Sequence, residues 1–466
     1  MKEMICSVAA LAAAFVGTSA FAETGFDAGA DLRIREELMD NVPGLPGGGL
    51  LNPGVRGKFK NHVRFRPRVW GEVKFGDANV GDFRLYARLA DEFRWNPEPK
   101  SHTTTFPDEL IIDNLYLEGL GLFGEFLDFR IGRQDLYGLY GLDHLFVDGT
   151  PGDGSRTTYA DVVRMTLHVT EESKLDVFAL YDFDESDVRW GTRRSRHRSL
   201  SGLGGGAEPD MDDWGFGAIW SSNLGEALPY QLFVIQKNTA SFMRGGVKHA
   251  RTQRETIGFK VEPKLVSGDG AVGDLSLQLE GMGQVGRNGR DEDLAGWSAY
   301  AGLNWKGAQV ARICKPFGKI GLHVMSGDED AAREDGGHSA WDPVWARGVN
   351  DSELFLYGTH YGAAWWSNMI YLKTTVGLDF GSRLMLVGST GPLFSKAKDG
   401  LGGGDGSFKG LLSQVRLDFP LWIADKEKGE RFELFGHLLA EFFNPGDYYE
   451  TDKPSWFFRW QVDFKF

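Results

Sequence analysis

An alternation of apolar and polar side chains runs through nearly the whole chain, and it constrains the fold more than any other feature. In its clearest stretch, VRFRPRVWGEVKF at residues 63–75, Val63, Phe65 and Val69 alternate with arginines. A period of two is that of a β-strand, whose successive side chains point to opposite faces. The runs reach about 10 to 14 residues, whereas soluble strands have about 5 to 6 residues and tilted membrane-spanning strands about 9–11. The pattern therefore favours strands that cross a membrane.

About 18 segments carry this pattern, and an even number of strands is the rule for bacterial single-chain barrels. They are residues 24–38, 60–76, 82–95, 109–119, 124–134, 162–171, 174–185, 211–222, 229–238, 253–264, 273–285, 296–306, 318–326, 368–380, 383–393, 409–420, 431–443 and 456–466. We predict an all-β fold, a transmembrane antiparallel up-and-down β-barrel of about 18 strands.

The connections between these segments alternate between long and short. Residues 135–161 and 327–367 form two of the long connections, whereas residues 172–173 and 381–382 form two of the short ones. Outer-membrane barrels have long extracellular loops and short periplasmic turns, an asymmetry that a soluble sandwich has no reason to produce. The pattern predicts one outer-membrane β-barrel domain over residues 23–466, with both of its ends in the periplasm.

The first 22 residues have the composition of a signal peptide. Lys2 gives a basic start, residues 8–16 are apolar, and residues 20–22 form a small-x-small cleavage pattern. The alternative is a membrane anchor, but a spanning helix needs about 20 apolar residues. We predict that the signal peptide, residues 1–22, is removed and that the chain is exported to the outer membrane of a Gram-negative bacterium.

The final strand, SWFFRWQVDFKF, carries a signal of its own. Trp456, Phe458, Trp460 and Phe464 lie on one face, and the sequence ends on Phe466. Such a face would promote aggregation in a soluble protein, whereas lipid accommodates it and the end aromatics suit the interfacial girdle. It resembles the signal that the barrel-assembly machinery reads. We therefore expect this machinery as a partner through Phe466, in addition to outer-membrane lipid and lipopolysaccharide.

Charge, cysteine content and motifs argue against several classes of function. The net charge of −14 argues against a nucleic-acid partner. Cys6 leaves with the signal peptide and Cys314 is then alone, so no intramolecular disulfide is expected. Because no G-x-S-x-G, H-E-x-x-H or phosphate-loop motif occurs, we expect no catalytic residues, no cofactor and no metal. The remaining candidates for a hydrolase set are His144, His168, His338 and Glu118.

If the apolar positions face lipid, the alternate positions line the interior, and they are rich in arginine. On strands two and three the arginines exceed the carboxylates expected nearby, and rings of arginine and lysine select anions in pores. A guanidinium group also holds a carboxylate through two hydrogen bonds. The alternative is that these charges simply pair across the interior. The pore-lining arginines predicted in this way are Arg33, Arg35, Arg64, Arg66, Arg68, Arg84, Arg88, Arg130, Arg164 and Arg459.

Other inward-facing residues and two loops leave alternatives open. Aromatic side chains could stack on sugar rings or fill the interior, and we favour filling. The arginine-rich residues 188–200 could gather polyanions or lipopolysaccharide phosphates, or carry ordinary surface charge. The acidic residues of the connection 327–367 could bind a divalent cation, although the calcium-loop pattern is lacking. The inward aromatic residues are Trp70, Tyr86, Tyr116, Phe178 and Tyr300.

Several motifs resemble the alginate-export family of outer-membrane porins. They are LDFRIGRQDLYG at residues 127–138, VDGTPGDGSRT at 147–157, MSGDED at 325–330, SELFLY at 352–357, VRFRPRVWGEVKFGD at 63–77 and FFNPGDYY at 442–449. The resemblance implies an 18-stranded barrel with an arginine-lined constriction for an anionic polyuronate. It places Arg66 and Arg133 at arginine positions of the family. In a regular strand, Arg133 would lie on the same outward face as Phe129 and Ile131. A bulge or the end of the strand would therefore have to turn Arg133 inward.

The leading functional hypothesis is a passive, anion-selective porin for an anionic polysaccharide or oligosaccharide, such as an alginate-like polyuronate in alginate export. One alternative is a general or sugar-uptake porin. Others are a barrel enzyme, and an adhesin or structural barrel plugged by its own loops. The sugar and the direction of transport stay open.

Overall fold

The computed structural model describes residues 23–41, 59–77, 81–98, 110–136, 139–146, 159–182, 213–225, 227–244, 247–249, 251–268, 273–287, 292–329, 337–346, 351–355, 367–398, 403–425, 427, 429–450 and 452–466. The predicted signal peptide and the arginine-rich residues 188–200 lie outside these described residues. So does part of the acidic connection, residues 330–336.

Eighteen long strands form the wall, and each pairs antiparallel with the next strand along the chain. The same antiparallel pairing continues through the second half of the chain. The strands are β1 (Glu23–Asp40), β2 (Lys60–Asp77), β3 (Gly81–Ala90, continued by Phe93–Glu98), β4 (Ile111–Gly121), β5 (Leu127–Asp135), β6 (Tyr159–Thr170), β7 (Ser173–Asp182), β8 (Asp213–Asn223), β9 (Pro229–Thr239), β10 (Thr252–Val261), β11 (Asp274–Arg287), β12 (Asp293–Lys306), β13 (Lys315–Met325), β14 (Met369–Asp379), β15 (Met385–Phe394), β16 (Phe408–Trp422), β17 (Glu433–Pro445) and β18 (Ser455–Lys465). Short strands at Phe242–Arg244, Val247–His249, Lys264–Val266 and Gly337–His338 accompany them.

The last strand closes the sheet on the first. β18 pairs antiparallel with β1 from Asp31, opposite Lys465, to Asp40, opposite Trp456. Backbone hydrogen bonds in both directions between Ala30 and Phe466 complete the seam. The predicted 18-stranded antiparallel barrel is confirmed, and each predicted strand end lies within three residues of the observed one. A closed ladder satisfies the backbone polar groups internally, which a lipid environment requires.

The two faces of the wall differ as the alternation predicts. In β1, Arg33 and Arg35 are buried on the inner face, whereas Leu32 and Ile34 lie partly exposed on the outer face. Many outward side chains are apolar and open, and contact with lipid removes the cost of exposing them to water. These outward residues include Phe26, Val69, Leu85, Phe216, Val234, Ile257, Val285, Ile320, Val376 and Val415.

In the described ranges, helical structure is confined to short turns such as Leu139–Gly141 and Asp143–Phe146. Among the described residues, no helix is long and apolar enough to span a membrane.

Two of the long connections fold into the barrel. From the connection between β5 and β6, the turns Leu139–Gly141 and Asp143–Phe146 carry buried leucines and a buried phenylalanine. From the connection between β13 and β14, residues 338–346 and 351–355 are also largely buried. We call residues 139–146 the first inward turn and residues 351–355 the second inward segment.

An apolar cluster holds these segments against the inner wall. Phe146 stacks on Trp345 with ring centroids 5.4 Å apart and meets the edge of Phe178 at 5.7 Å. On the other side, Phe355 meets the edge of Phe443 at 5.1 Å. The wall residues of this cluster lie mostly on strands β6 to β18, so the connections narrow the interior from that side.

Candidate functional site: the arginine wall

Strands β1 and β2 bring their arginines face to face on the inner wall. The register sets Arg33 opposite Arg66 and Arg35 opposite Arg64, and the next inward pair is Asp31 with Arg68. Directly opposite side chains in a sheet lie about 5 Å apart, so these guanidinium groups form a compact block. We call it, with Arg84, Arg88, Arg130 and Arg459 on β3, β5 and β18, the arginine wall.

One carboxylate serves several of these cations. Glu37 is fully buried, and its oxygens lie 2.6 Å from Arg459 and 3.0 Å from Arg64. Arg35 at 3.4 Å and His62 at 2.7 Å complete the group. Because buried like charges repel strongly, the carboxylate of Glu37 helps three guanidinium groups to meet here, together with Glu92 beside Arg64 and Glu353 beside Arg459.

Further along the wall the same sharing recurs. Asp31 lies 2.9 Å from Arg68 and 3.9 Å from Arg66, and Arg33 pairs with Asp463 at 2.7 Å. Sharing packs the guanidinium groups closely along this part of the inner wall, and some of them have a second carboxylate, such as Glu92, which lies 2.7 Å from Arg64.

The most open arginines of the wall are Arg84 and Arg130. Their side chains are 29% and 27% exposed. Both contact Glu118, Arg84 at 2.7 Å and Arg130 in a close bond. Arg88, in contrast, donates three hydrogen bonds to the buried carboxylate of Asp113 and has a further contact with Asp135 at 3.2 Å. Of these three arginines, Arg84 and Arg130 are therefore the better placed to meet a solute.

Three of the five predicted inward aromatics form a stack that supports these two arginines. Trp70 stacks on Tyr86 at 6.1 Å, and Tyr86 stacks on Tyr116 at 5.1 Å. The free face of Tyr116 is covered by the Arg130 guanidinium, 4.5 Å from the ring centre. Because the rings cover one another's faces, they offer little stacking surface to a sugar. This geometry agrees with a filling and positioning role.

Arg164 and Arg133 stand apart from the arginine wall. Arg164 lies 5.0 Å over the ring of Tyr140 in the first inward turn. The register of β5 runs through Arg133 without a bulge and sets it opposite Leu115, an exposed residue of the outer face. Arg133 pairs with Asp161 at 3.1 Å. The neighbouring Gly132 has a φ of +123°, and Arg133 also donates to the carbonyl of Ile112 at 3.2 Å, so its role in lining the pore stays a prediction.

Carboxylates near the arginines are more numerous than sequence reasoning expected. Glu37 and Asp463 occupy alternate positions that face inward on their strands, so the alternation predicts that both line the interior. Asp113 sits at the register shift between β3 and β4, and Glu353 in the second inward segment lies 2.9 Å from Arg459. No periodic signal marks these last two residues.

The residues considered for hydrolysis are not brought together. His144 bonds Glu280 at 2.6 Å, His168 bonds Asp128 at 2.8 Å, and His338 bonds Asp328 at 2.8 Å. Each histidine has its own carboxylate, on different parts of the barrel. Within the part of the chain that the structure describes, no group of three or more metal-ligating side chains occurs.

Comparison with known proteins supports the barrel. No protein-family model and no curated protein sequence matches the chain. The outer membrane protein OprD from Pseudomonas aeruginosa has a TM-score of 0.53 at 8% identity, covering 97% of this chain and 96% of that chain. OccAB2 from Acinetobacter baumannii has a TM-score of 0.53 at 12% identity, covering 94% and 98%.

A third similar structure was solved with a ligand. It is OccK2 (OpdF) of Pseudomonas aeruginosa in complex with glucuronate, with a TM-score of 0.53 at 13% identity, covering 95% of this chain and 98% of that chain. At such low identities the similarity shows the barrel fold, and membership of the alginate-export family stays a prediction.

Proposed function

We propose that this chain is an outer-membrane porin that passes anionic saccharides, with alginate-like polyuronates as the substrate class. The observation that carries the proposal is the arginine wall, in which nine arginines lie together on one part of the inner wall and neighbouring arginines share carboxylates. Glu37 contacts Arg35, Arg64 and Arg459, while Asp31 contacts Arg66 and Arg68, and Glu118 contacts Arg84 and Arg130. Glu92, Glu72 and Glu353 lie beside Arg64, Arg84 and Arg459 as second partners.

The sharing explains how such a pore would bind and release its cargo. A carboxylate entering the interior meets guanidinium groups whose forked geometry matches it. Because each guanidinium already contacts a carboxylate of the wall, the solute is held weakly at several positions and not tightly at one. Weak binding at successive sites is what passage through a channel requires.

Two further facts support an anionic sugar as cargo. The similar OccK2 structure was solved in complex with glucuronate, and a polyuronate is a chain of such acids. The motif resemblance to alginate-export porins points to the same class. Outer-membrane lipid, lipopolysaccharide and the barrel-assembly machinery are the partners that this role implies.

A plugged barrel is the second candidate, favoured by one specific observation. The first inward turn and the second inward segment occupy the interior and carry fully buried side chains such as Leu142 and Leu354. A structural or adhesive barrel would conduct no ions. A general porin would conduct without preference for uronates.

Planar-bilayer recording tests the proposal. Oligogalacturonate added to one side should block the chloride current of the wild-type channel. The double variant Arg84→Gln/Arg130→Gln removes the two open guanidinium groups, and we expect the half-blocking concentration to rise about tenfold, as for the loss of a charge-assisted contact.

Arg383→Gln is the matched control, because Arg383 is exposed and pairs with Glu433 outside the arginine wall. It should leave the block unchanged. A silent wild-type channel would favour the plugged barrel, and conduction that uronates do not block would favour the general porin.

A further inference from the structure

A polar cavity lies on the barrel wall opposite the arginines. Its volume is about 160 Å³, and its lining includes Tyr300 of β12, Lys319 of β13 and Lys373 and Thr375 of β14. His144 of the first inward turn and Asp351 of the second inward segment close it from the interior. Two connections and three strands therefore build the cavity jointly.

Topology places this cavity across the barrel from the two open arginines of the arginine wall. In a ring of 18 strands, β13 lies eight strands from both β3 and β5, which carry Arg84 and Arg130, and this is close to half the circumference. The first inward turn links two parts of the barrel, since Tyr140 lies under the guanidinium of Arg164 on β6 and His144 bonds Glu280 of β11. The cavity beside this turn thus faces the strands of Arg84 and Arg130 from the far part of the barrel.

The charges around the cavity leave one cation in excess. Lys373 pairs with Asp351 at 2.8 Å, and His144 pairs with Glu280 at 2.6 Å. Lys319 has the neutral amide oxygen of Gln278 as its hydrogen-bond acceptor, at 3.2 Å, and lies 5.0 Å over the ring of Tyr300. An ammonium group has three donors, so Lys319 can still donate to a ligand.

Two glycines shape the floor of the cavity. Gly302 and Gly321 occupy inward positions of β12 and β13, and a Cβ atom at either would overlap the hydroxyl of Tyr300. Their absent side chains let Tyr300 lie flat against the wall, with Lys319 above its ring. Tyr300 and Thr375, the residue opposite Lys319 in the register, line the cavity together with this lysine, and such a lining suits a carboxylate with neighbouring hydroxyls.

We propose that this cavity is a second anion subsite, in which Lys319 holds a carboxylate while Tyr300 and Thr375 bind adjacent hydroxyl groups. Together with the arginine wall it makes the channel prefer saccharides with two or more carboxylates over monocarboxylates, because only the former reach both sides at once. This inference rests on the proposed function. It specifies in addition that the pore recognises saccharides with at least two carboxylates.

The test compares the block of chloride current by galacturonate and by digalacturonate in planar bilayers. In the wild type the dimer should block at a concentration about tenfold lower than the monomer, since a second linked contact adds to the first. Lys319→Gln should bring the two half-blocking concentrations together, and Lys319→Arg should restore their separation.

Lys315→Gln is the matched control, an exposed residue of the same strand and face outside the cavity. Tyr300→Phe is a second variant that removes only a hydroxyl, and it should narrow the separation in the same direction. An unchanged dimer preference in both Lys319→Gln and Tyr300→Phe overturns the subsite while leaving the arginine wall intact. A wild-type current that neither acid blocks contradicts the proposed function itself.

Discussion

Glu37 organises the densest group of charges in the molecule. Three guanidinium groups and the imidazole of His62 contact its carboxylate, and neither Glu37 nor Arg459 is exposed. Removing one partner of a buried ion group strands the other charges in a medium that solvates them poorly. The carboxylate thus has a structural role that its cations depend on.

Glu37→Gln should therefore destabilise the barrel by about 3–5 kcal/mol in the free energy of unfolding, the usual cost of breaking a buried pair. Urea-induced unfolding from lipid vesicles measures this difference. Glu172→Gln in an exposed turn is the control and should change the free energy by about 0.5 kcal/mol or less. Equal stability of the two variants would show that Glu37 does not hold the group together.

At the scale of elements, the first inward turn is tethered by a titratable contact. Burial alone would lower the pKa of His144, but the carboxylate of Glu280, 2.6 Å away, more than offsets this and raises the pKa above its usual 6.5. A raised pKa means that the protonated pair stabilises the turn fully below pH 6.5, and that this stabilisation is lost as the pH rises through the raised pKa.

Open-channel current noise should therefore increase when the pH is raised from neutral to alkaline, as the turn loosens. The variant His144→Gln has no titratable side chain at position 144. Its current noise should therefore not change between neutral and alkaline pH. Wild-type noise that stays constant with pH, or a variant that keeps the pH dependence, would mean that this contact does not fix the turn.

The strands could be predicted from the sequence, whereas the inward turns could not. Alternation over 10 or more residues is typical of a strand with one lipid-facing side. Each predicted strand boundary therefore lies within three residues of the observed boundary. The alternation of long and short connections predicts an outer loop over residues 135–161. Its buried Leu136, Leu139, Leu142 and Leu145 recur every third residue, an apolar stripe with no place in a solvated loop. That stripe indicates a buried turn, but it does not specify the part of the wall against which the turn packs.

For the site, the alternation of residues along each strand predicts which arginines face inward, but it does not predict which residues they contact. Asp113 and Glu353 reach the wall from a register shift and from a connection, and both depend on tertiary packing that no local pattern encodes. The cavity around Lys319 has the same origin, since His144 and Asp351 come from distant connections. The local sequence pattern specifies the strands. The contacts inside the barrel depend instead on how the long connections fold back into it.

At the scale of the whole molecule, adjacent residues face two different solvents. Val415, at the middle of β16, is 55% exposed on the outer face, whereas Gln414 points inward and donates to Glu441 at 2.8 Å. Val415→Arg should destabilise the barrel by about 2–4 kcal/mol, the cost of a cation at the bilayer midplane. Gln414→Arg, which gains a carboxylate partner, should cost less than about 1 kcal/mol.

Refolding yield into lipid vesicles at graded urea concentrations measures both variants. The same cost for Val415→Arg and Gln414→Arg would be incompatible with a lipid-facing outer surface and a polar interior.

The most direct test of the account is the zero-current potential of the wild-type channel in a potassium chloride gradient across a planar bilayer. The guanidinium groups clustered on the inner wall should make chloride more permeant than potassium, despite the net charge of −14 of the chain. We predict a potential with the sign of anion selectivity, reduced in Arg84→Gln/Arg130→Gln. A potential with the sign of cation selectivity would contradict the central claim that the arginine wall governs passage.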